Sequence, residues 1–122
     1  METRGNDEIG RKVELAWLTA FYGGMLTDKQ RLVLQLHCEE DMSLAEIAQE
    51  AGVSRQGVHD MLTRAAGKLF DMEEKLGMAQ RFSRMQDGLV ECREALAHQA
   101  YDKAERVLDT LIRLNQEESN GL

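Results

Sequence analysis

Residues 43–68 read SLAEIAQEAGVSRQGVHDMLTRAAGK, and the spacing of small and apolar positions in this stretch decides the fold. Ser43-Leu44-Ala45-Glu46 has the form of a capping box: the Ser43 hydroxyl accepts from the Glu46 amide while the Glu46 side chain returns to the Ser43 backbone. It opens a short helix with Ile47, Ala48 and Ala51 inward. Gly52-Val53 breaks that helix, and Ser54 caps a second that runs through Val58, Met61, Leu62, Ala65, Leu69, Met72 and Leu76 to Gly77. Ala48 is small where two helices cross, Gly52 sits where the turn needs positive φ, and Val53 fills the gap beneath it. Val58 and Met61 face back to the first helix. Together these constraints predict a helix-turn-helix; an ordinary αα-hairpin would not need Ala48, Gly52 and Val58 at once.

In such a unit the second helix offers its first turns to a nucleic-acid groove. The outward residues are Arg55, Gln56, His59, Asp60 and Thr63, with Arg64 and Lys68 further along. Arg55 can pair with guanine or a phosphate, and Gln56 can contact adenine through both ends of its amide. His59 suits a phosphate or a stacked base, while Arg64 and Lys68 suit backbone phosphates. Each of these is also, taken alone, an ordinary solvated side chain. Gly57 and Gly67 weaken this helix by ~1 kcal/mol each relative to alanine, which fits close backbone approach at both.

Working outward, Ile9, Val13, Ala16, Trp17, Ala20 and Phe21 step at three and four residues and predict an apolar face on a first helix. Gly23-Gly24 is expected to end it through a left-handed C-cap. Thr27-Asp28-Lys29-Gln30 is another capping box, so the Leu32–Leu36 run, which also alternates like a strand, reads as helix. Beyond Gly77 the pattern changes. Met78, Phe82, Met85, Leu89, Cys92 and Leu96 form a heptad-like seam, followed by a turn at His98-Gln99-Ala100 and a helix capped by Asp102 that carries Ala104, Val107, Leu108, Leu111 and Leu114. The polar end from Asn115 is expected to fray. The fold class is therefore all-α: a helix-turn-helix bundle over residues 1–77 with a C-terminal helical hairpin over 78–122. Phe82, Met85, Leu89, Leu96, Leu108 and Leu111 are the expected packing or dimerisation positions, serving a homodimer or packing within one chain.

The 122 residues contain no proline, which favours long helices. No apolar stretch approaches the ~20 residues of a membrane span, and the start lacks a basic-then-apolar leader. Cys38 and Cys92 match no disulfide framework or metal spacing, so a reduced cytoplasmic setting without cofactor or metal is expected. An enzyme finds little support: no phosphate-binding glycine loop occurs, the histidines lack ligand spacing, and His37-Cys38-Glu39 reads as a buried helical cysteine. The charge is the counterweight to the motif. Fifteen basic and 22 acidic residues give −7, and between Thr27 and Gly77 six basic residues meet ten acidic ones, a balance of −4. Because phosphate neutralisation supplies nearly all non-specific affinity, generic duplex DNA should bind weakly. A structured RNA, or a partner that supplies cations, is the better match. A third class, a protein-interaction module with the helix-turn-helix as scaffold, is compatible with the acidic surface.

Four segments, LTAFYGGMLTDKQ (18–30), SLAEIAQE (43–50), VSRQGVHD (53–60) and EEKLG (73–77), resemble the YlxM family of small bacterial proteins, whose helix-turn-helix is similar to region 4 of sigma factors. The resemblance covers residues 8–78. It implies an accessory role in the signal recognition particle pathway, with the particle's RNA and GTPase subunit as partners. Arg55, Gln56 and His59 occupy the matching motif positions, with His59 where tyrosine is common. The alternative is a sequence-specific DNA-binding regulator of the sigma region 4 type.

Overall fold

A chain without proline stops its helices only with caps, glycines and turns. The computed structural model describes residues 4–120, and among them six α-helices end where those signals lie. The helices are α1 (Arg4–Tyr22), α2 (Asp28–Cys38), α3 (Leu44–Ala51), α4 (Arg55–Leu76), α5 (Met78–Ala97) and α6 (Tyr101–Asn120), with a 3₁₀ turn at Gly23–Met25. No strand occurs among the described residues, so the protein is all-α and the ambiguous run at Leu32–Leu36 is part of α2. Both capping boxes form. The Thr27 hydroxyl accepts from the Gln30 amide at 3.1 Å and the Ser43 hydroxyl from the Glu46 amide at 3.1 Å, each answered by the returning side chain. The chain divides into two compact units at the Gly77–Met78 junction, where Gly77 closes α4 in the left-handed conformation at φ 63°.

In the first unit α1, α2 and α3 all pack on α4 or on one another. Val33, Ile47, Val58 and Leu69 are fully buried, and burying an aliphatic side chain of this size contributes about 1.5–3 kcal/mol. The apolar face of α1 differs from expectation. Leu15, Leu18 and Tyr22 are the buried positions, whereas Ile9 and Val13 are largely exposed. The helix carries two apolar stripes, and the buried one is accompanied by long-range contacts: the Tyr22 hydroxyl donates to Glu73 Oε1 at 2.6 Å, and the Arg11 guanidinium lies 5.2 Å over the Phe70 ring. Gly23-Gly24 ends α1 without a left-handed residue. Both glycines lie in the 3₁₀ turn, and a Cβ on Gly23 would come within 3.1 Å of Thr19 Cγ2.

The second unit is an antiparallel hairpin of α5 and α6. Its seam uses small residues: Cys92, Ala95 and Ala104 are buried together, and the Cys92 thiol points at the Ala104 carbonyl, 3.8 Å away. Gly88 is met directly by the Leu111 side chain, whose Cγ lies 3.0 Å from where a Cβ would stand. Leu111 is thus buried inside the hairpin, while Leu89, Leu96 and Leu108 stay half-exposed on one shoulder. The turn runs through Gln99 at φ 60°. α6 begins at Tyr101, so Asp102 lies inside the first turn, where it favours the helix dipole, and is not the cap. The helix runs to Asn120.

Between α1 and the α2–α3 connection, Lys12 Nζ reaches Asp41 Oδ1 at 2.5 Å; its hydrogen bond holds that carboxyl below the usual carboxylate range. Burial, with the Lys12 cation beside it, pushes His37 below the ordinary imidazole value. Folding thus favours neutral His37, and the unfolded chain binds the extra proton. Stability from this site is complete above the ordinary histidine pKa and declines as pH falls through it. The expected result is a melting temperature that drops between about pH 8 and about pH 5.5, with His37→Gln flattening that part of the profile; a wild-type curve equally flat there would contradict it. For the hairpin, Gly88→Ala must displace Leu111 and is expected to cost about 1–3 kcal/mol in denaturant unfolding.

Candidate nucleic-acid interface

The interface is built from the joint between α3 and α4. Ile47 and Ala48 of α3 and Val58 of α4 form one buried cluster with Val33 of α2; Val53, Met61 and Leu62 pack around it. Gly52 makes the turn at φ 70°, ψ 34°, a conformation that costs a residue with a Cβ roughly 1 kcal/mol or more. The Val53 amide donates back to the Ala48 carbonyl at 3.0 Å. Ser54 then starts α4, its hydroxyl accepting from the Gly57 amide at 2.9 Å. A Cβ on Gly57 would lie 3.1 Å from that hydroxyl oxygen, so the glycine leaves room for the cap. Gly67 has no such neighbour, and open space surrounds the position of its missing Cβ. The fold gives no reason for a glycine there.

Arg55, Gln56, His59, Thr63, Arg64 and Lys68 are all exposed on α4. At 3.6 residues per turn they do not form one face. Gln56, Asp60, Thr63 and Gly67 make a crest opposite the buried Val58–Ala65–Leu69 side. Arg55 and His59 flank that crest on one edge, and Arg64 and Lys68 on the other. The arrangement fits a ridge lying in a groove with cations directed to both walls. Asp60 sits at its centre. The Gln56 amide donates to Asp60 Oδ1 at 3.1 Å, and His59 Nδ1 lies 3.8 Å from the same oxygen. Thr63 donates its hydroxyl hydrogen to the His59 carbonyl at 3.0 Å, which leaves its oxygen as an acceptor.

Ion pairing separates the cations of this unit into two groups. Lys12 pairs with Asp41, Arg31 with Asp28, and Lys75 with Asp71. Arg55, Arg64 and Lys68 have no carboxylate partner among the described residues. Counting charges along the sequence gives only the −4 balance; the structure shows which cations are matched within the chain, with Lys29 of α2 also outside the ion pairs among the described residues. Cys38 is part-buried, not the buried cysteine expected from the sequence, and burial raises its pKa, opposite to an activated thiol. Both cysteines are free. Among the described residues no group of histidine, cysteine and carboxylate side chains can hold a metal ion, and no helix is long and apolar enough to cross a membrane.

The UPF0122 family, described as "Putative helix-turn-helix protein, YlxM / p13 like", matches residues 9–111. The chain belongs to that family. Its UPF0122 relatives include a protein of Shouchella clausii, 33% identical over 108 residues, spanning 88% of this chain and 99% of that one. A protein of Symbiobacterium thermophilum is 39% identical over 97 residues, 80% of this chain and 91% of that one. One of Desulforamulus reducens is 46% identical over 74 residues, covering 61% of this chain and 63% of its own length. The family match runs past Gly77 through α5 and into α6. It therefore takes in part of the second unit as well, whereas the motif resemblance stops at residue 78.

With Asp60 central to the α4 crest, Asp60→Asn should keep the Gln56 contact as an amide–amide bond and remove the repulsion. Affinity for a duplex or stem-loop probe is expected to rise about threefold to tenfold at low salt, with the gain shrinking as salt increases. Fluorescence anisotropy titrations at two ionic strengths check it; an unchanged affinity would place Asp60 away from the bound strand.

Proposed function

We propose that this chain is a nucleic-acid-binding accessory protein of the signal recognition particle pathway, with α4 contacting the particle's RNA and the protein also engaging its GTPase subunit. The observation that carries the reading is the set of unpaired cations on a capped recognition helix, Arg55, Arg64 and Lys68, in a unit whose other charges are largely acidic. A helix-turn-helix with so little net attraction for phosphate suits a shaped target that meets a few cations at once better than indiscriminate duplex binding. Membership of the YlxM-like family supports the assignment. Binding takes place in the cytoplasm, by a non-enzymatic protein without cofactors.

We further propose a homodimer through the hairpin. Leu89, Leu96, Leu108 and Ile112 are each about half exposed, and helix geometry sets them on one side of the α5–α6 pair, with α5 and α6 each contributing two. A second copy turned about a two-fold axis parallel to the helices meets the same ladder, which is the self-complementarity that an isologous interface requires. Leu89→Glu with Leu108→Glu is expected to convert a dimer to a monomer in sedimentation equilibrium, with helical content retained.

The second reading, a sequence-specific DNA-binding regulator of the sigma region 4 type, draws on Arg55 and Gln56 in the first turn of α4, where a recognition helix reads bases. One titration separates the two. On the leading reading the particle RNA binds more tightly than random duplex of equal length, and Lys68→Ala weakens all probes alike. On the second, a particular duplex wins, and Arg55→Ala relaxes the preference by about 1–3 kcal/mol. Equal affinity for every probe, together with a pull-down that enriches neither the RNA nor the GTPase subunit, would exclude the signal recognition particle role.

A further inference from the structure

The hairpin has a second face, on the side away from the Leu89–Leu108 shoulder. An open groove of about 840 Å³ runs there between α5 and α6. In its floor Leu111 is seated against Gly88, while Val107 and Leu114 stay partly open. The rim is charged. α6 supplies Lys103, Arg106 and Arg113, and α5 supplies Arg84. On α6 these cations share an edge with Thr110 at steps of three, four and three residues, so they stand on one side of the helix.

The pairing within this groove is uneven. Lys103 lies 3.9 Å from Glu91 and answers its charge. Arg84, Arg106 and Arg113 form no ion pair among the described residues, although Asp87 and Glu117 line the same groove. The Thr110 hydroxyl donates to the Arg106 carbonyl at 3.1 Å, so it offers no hydrogen to a ligand. Three unpaired guanidiniums converge on one groove in a chain of net charge −7, and nothing in the hairpin's own packing calls for them.

We infer that this groove is a second phosphodiester contact, which holds the sugar–phosphate backbone of a nucleic-acid strand independently of α4. The inference rests on the nucleic-acid reading above and extends it to the second unit. Guanidinium forks match phosphate oxygens in geometry and stay charged at any physiological pH. From Lys103 to Arg113 the α6 edge spans about 15 Å, long enough to meet more than one phosphate of a strand. An acidic helix would be drawn by the same cations, but the four cations stand along the open rim, where an extended backbone of phosphates reaches them without entering the floor. Asp87 and Glu117 confine the strand to the arginine positions and keep the contact weak and sensitive to salt.

The test uses the full chain and a fluorescein-labelled RNA stem-loop, titrated by anisotropy across a series of salt concentrations. Arg106→Gln with Arg113→Gln is expected to weaken binding about fivefold to tenfold at low salt and to reduce the slope of log affinity against log salt by about 1.4–1.8, the loss of two phosphate contacts. Arg106→Lys with Arg113→Lys should keep most of that slope, and circular dichroism should show unchanged helix. Native affinity and slope in the Gln pair would overturn the inference. So would a loss of binding to a labelled poly-glutamate peptide with RNA binding intact, which would assign the groove to an acidic protein. The same titration with Arg55→Gln and Arg64→Gln tells the two readings apart. Loss of binding with that pair alone leaves the α4 reading standing and removes the groove. Loss with the groove pair alone does the reverse.

Discussion

The contact of Ile47 and Ala48 with Val58, closed over Val33, is the constraint on which the first unit depends. All four are buried in one cluster, and three helices meet there. Ala48 brings the α3 backbone close to α4, Gly52 turns the chain with a conformation that other residues resist, and Val58 fills the resulting space. Because α4 is 22 residues long, the same helix continues to Leu69, fully buried, and to Glu73, which receives the Tyr22 hydroxyl. One rigid element therefore holds α1, α2 and α3 together on one side and presents its opposite crest to solvent. The position of that crest is fixed by the core, and its side chains can change without disturbing the packing.

The freedom of the crest explains how the charges are distributed. A surface ion pair contributes little to stability, typically less than about 1 kcal/mol, so the pairs of Lys12, Arg31 and Lys75 matter less for what they stabilise than for what they leave over. Once those cations are matched, three of the remaining positive charges, Arg55, Arg64 and Lys68, lie on α4 with Asp60 among them, while Lys29 lies on α2 and Arg11 on α1. The −4 of residues 27–77 is an average over a surface that is not uniform. Screening beyond roughly 10 Å at ordinary ionic strength means that a charge outside the chain responds to the nearest side chains, not to the average.

Much of this architecture is legible in the amino-acid sequence. Both capping boxes, the Gly52 turn, the Ser54 cap, the Gly77 exit and the inward positions of α3 and α4 follow from local rules that need no distant partner. The face of α1 does not. Ile9, Val13 and Trp17 make a regular stripe, and so do Leu15, Leu18 and Tyr22; only tertiary packing, with a bond to a residue 51 positions away, distinguishes the second. The hairpin resists reading for a related reason. A heptad pattern weights large side chains, whereas the seam of α5 and α6 is set by close approach at Gly88, Cys92, Ala95 and Ala104, with the large Leu111 inserted among them. Ion pairing is equally invisible in composition, since counting charges does not show which ones are matched.

Small seam residues also have a consequence for surface chemistry. When two helices approach closely, their larger side chains are displaced to the shoulders. Leu89, Leu96, Leu108 and Ile112 stand half-exposed on one side of the hairpin because glycine and alanine occupy its centre, and the arginines stand on the other for the same reason. Had leucine filled positions 88, 95 and 104, the helices would have to separate to make room for it. The two unlike faces of the α5–α6 unit are thus a geometric result of a tight seam.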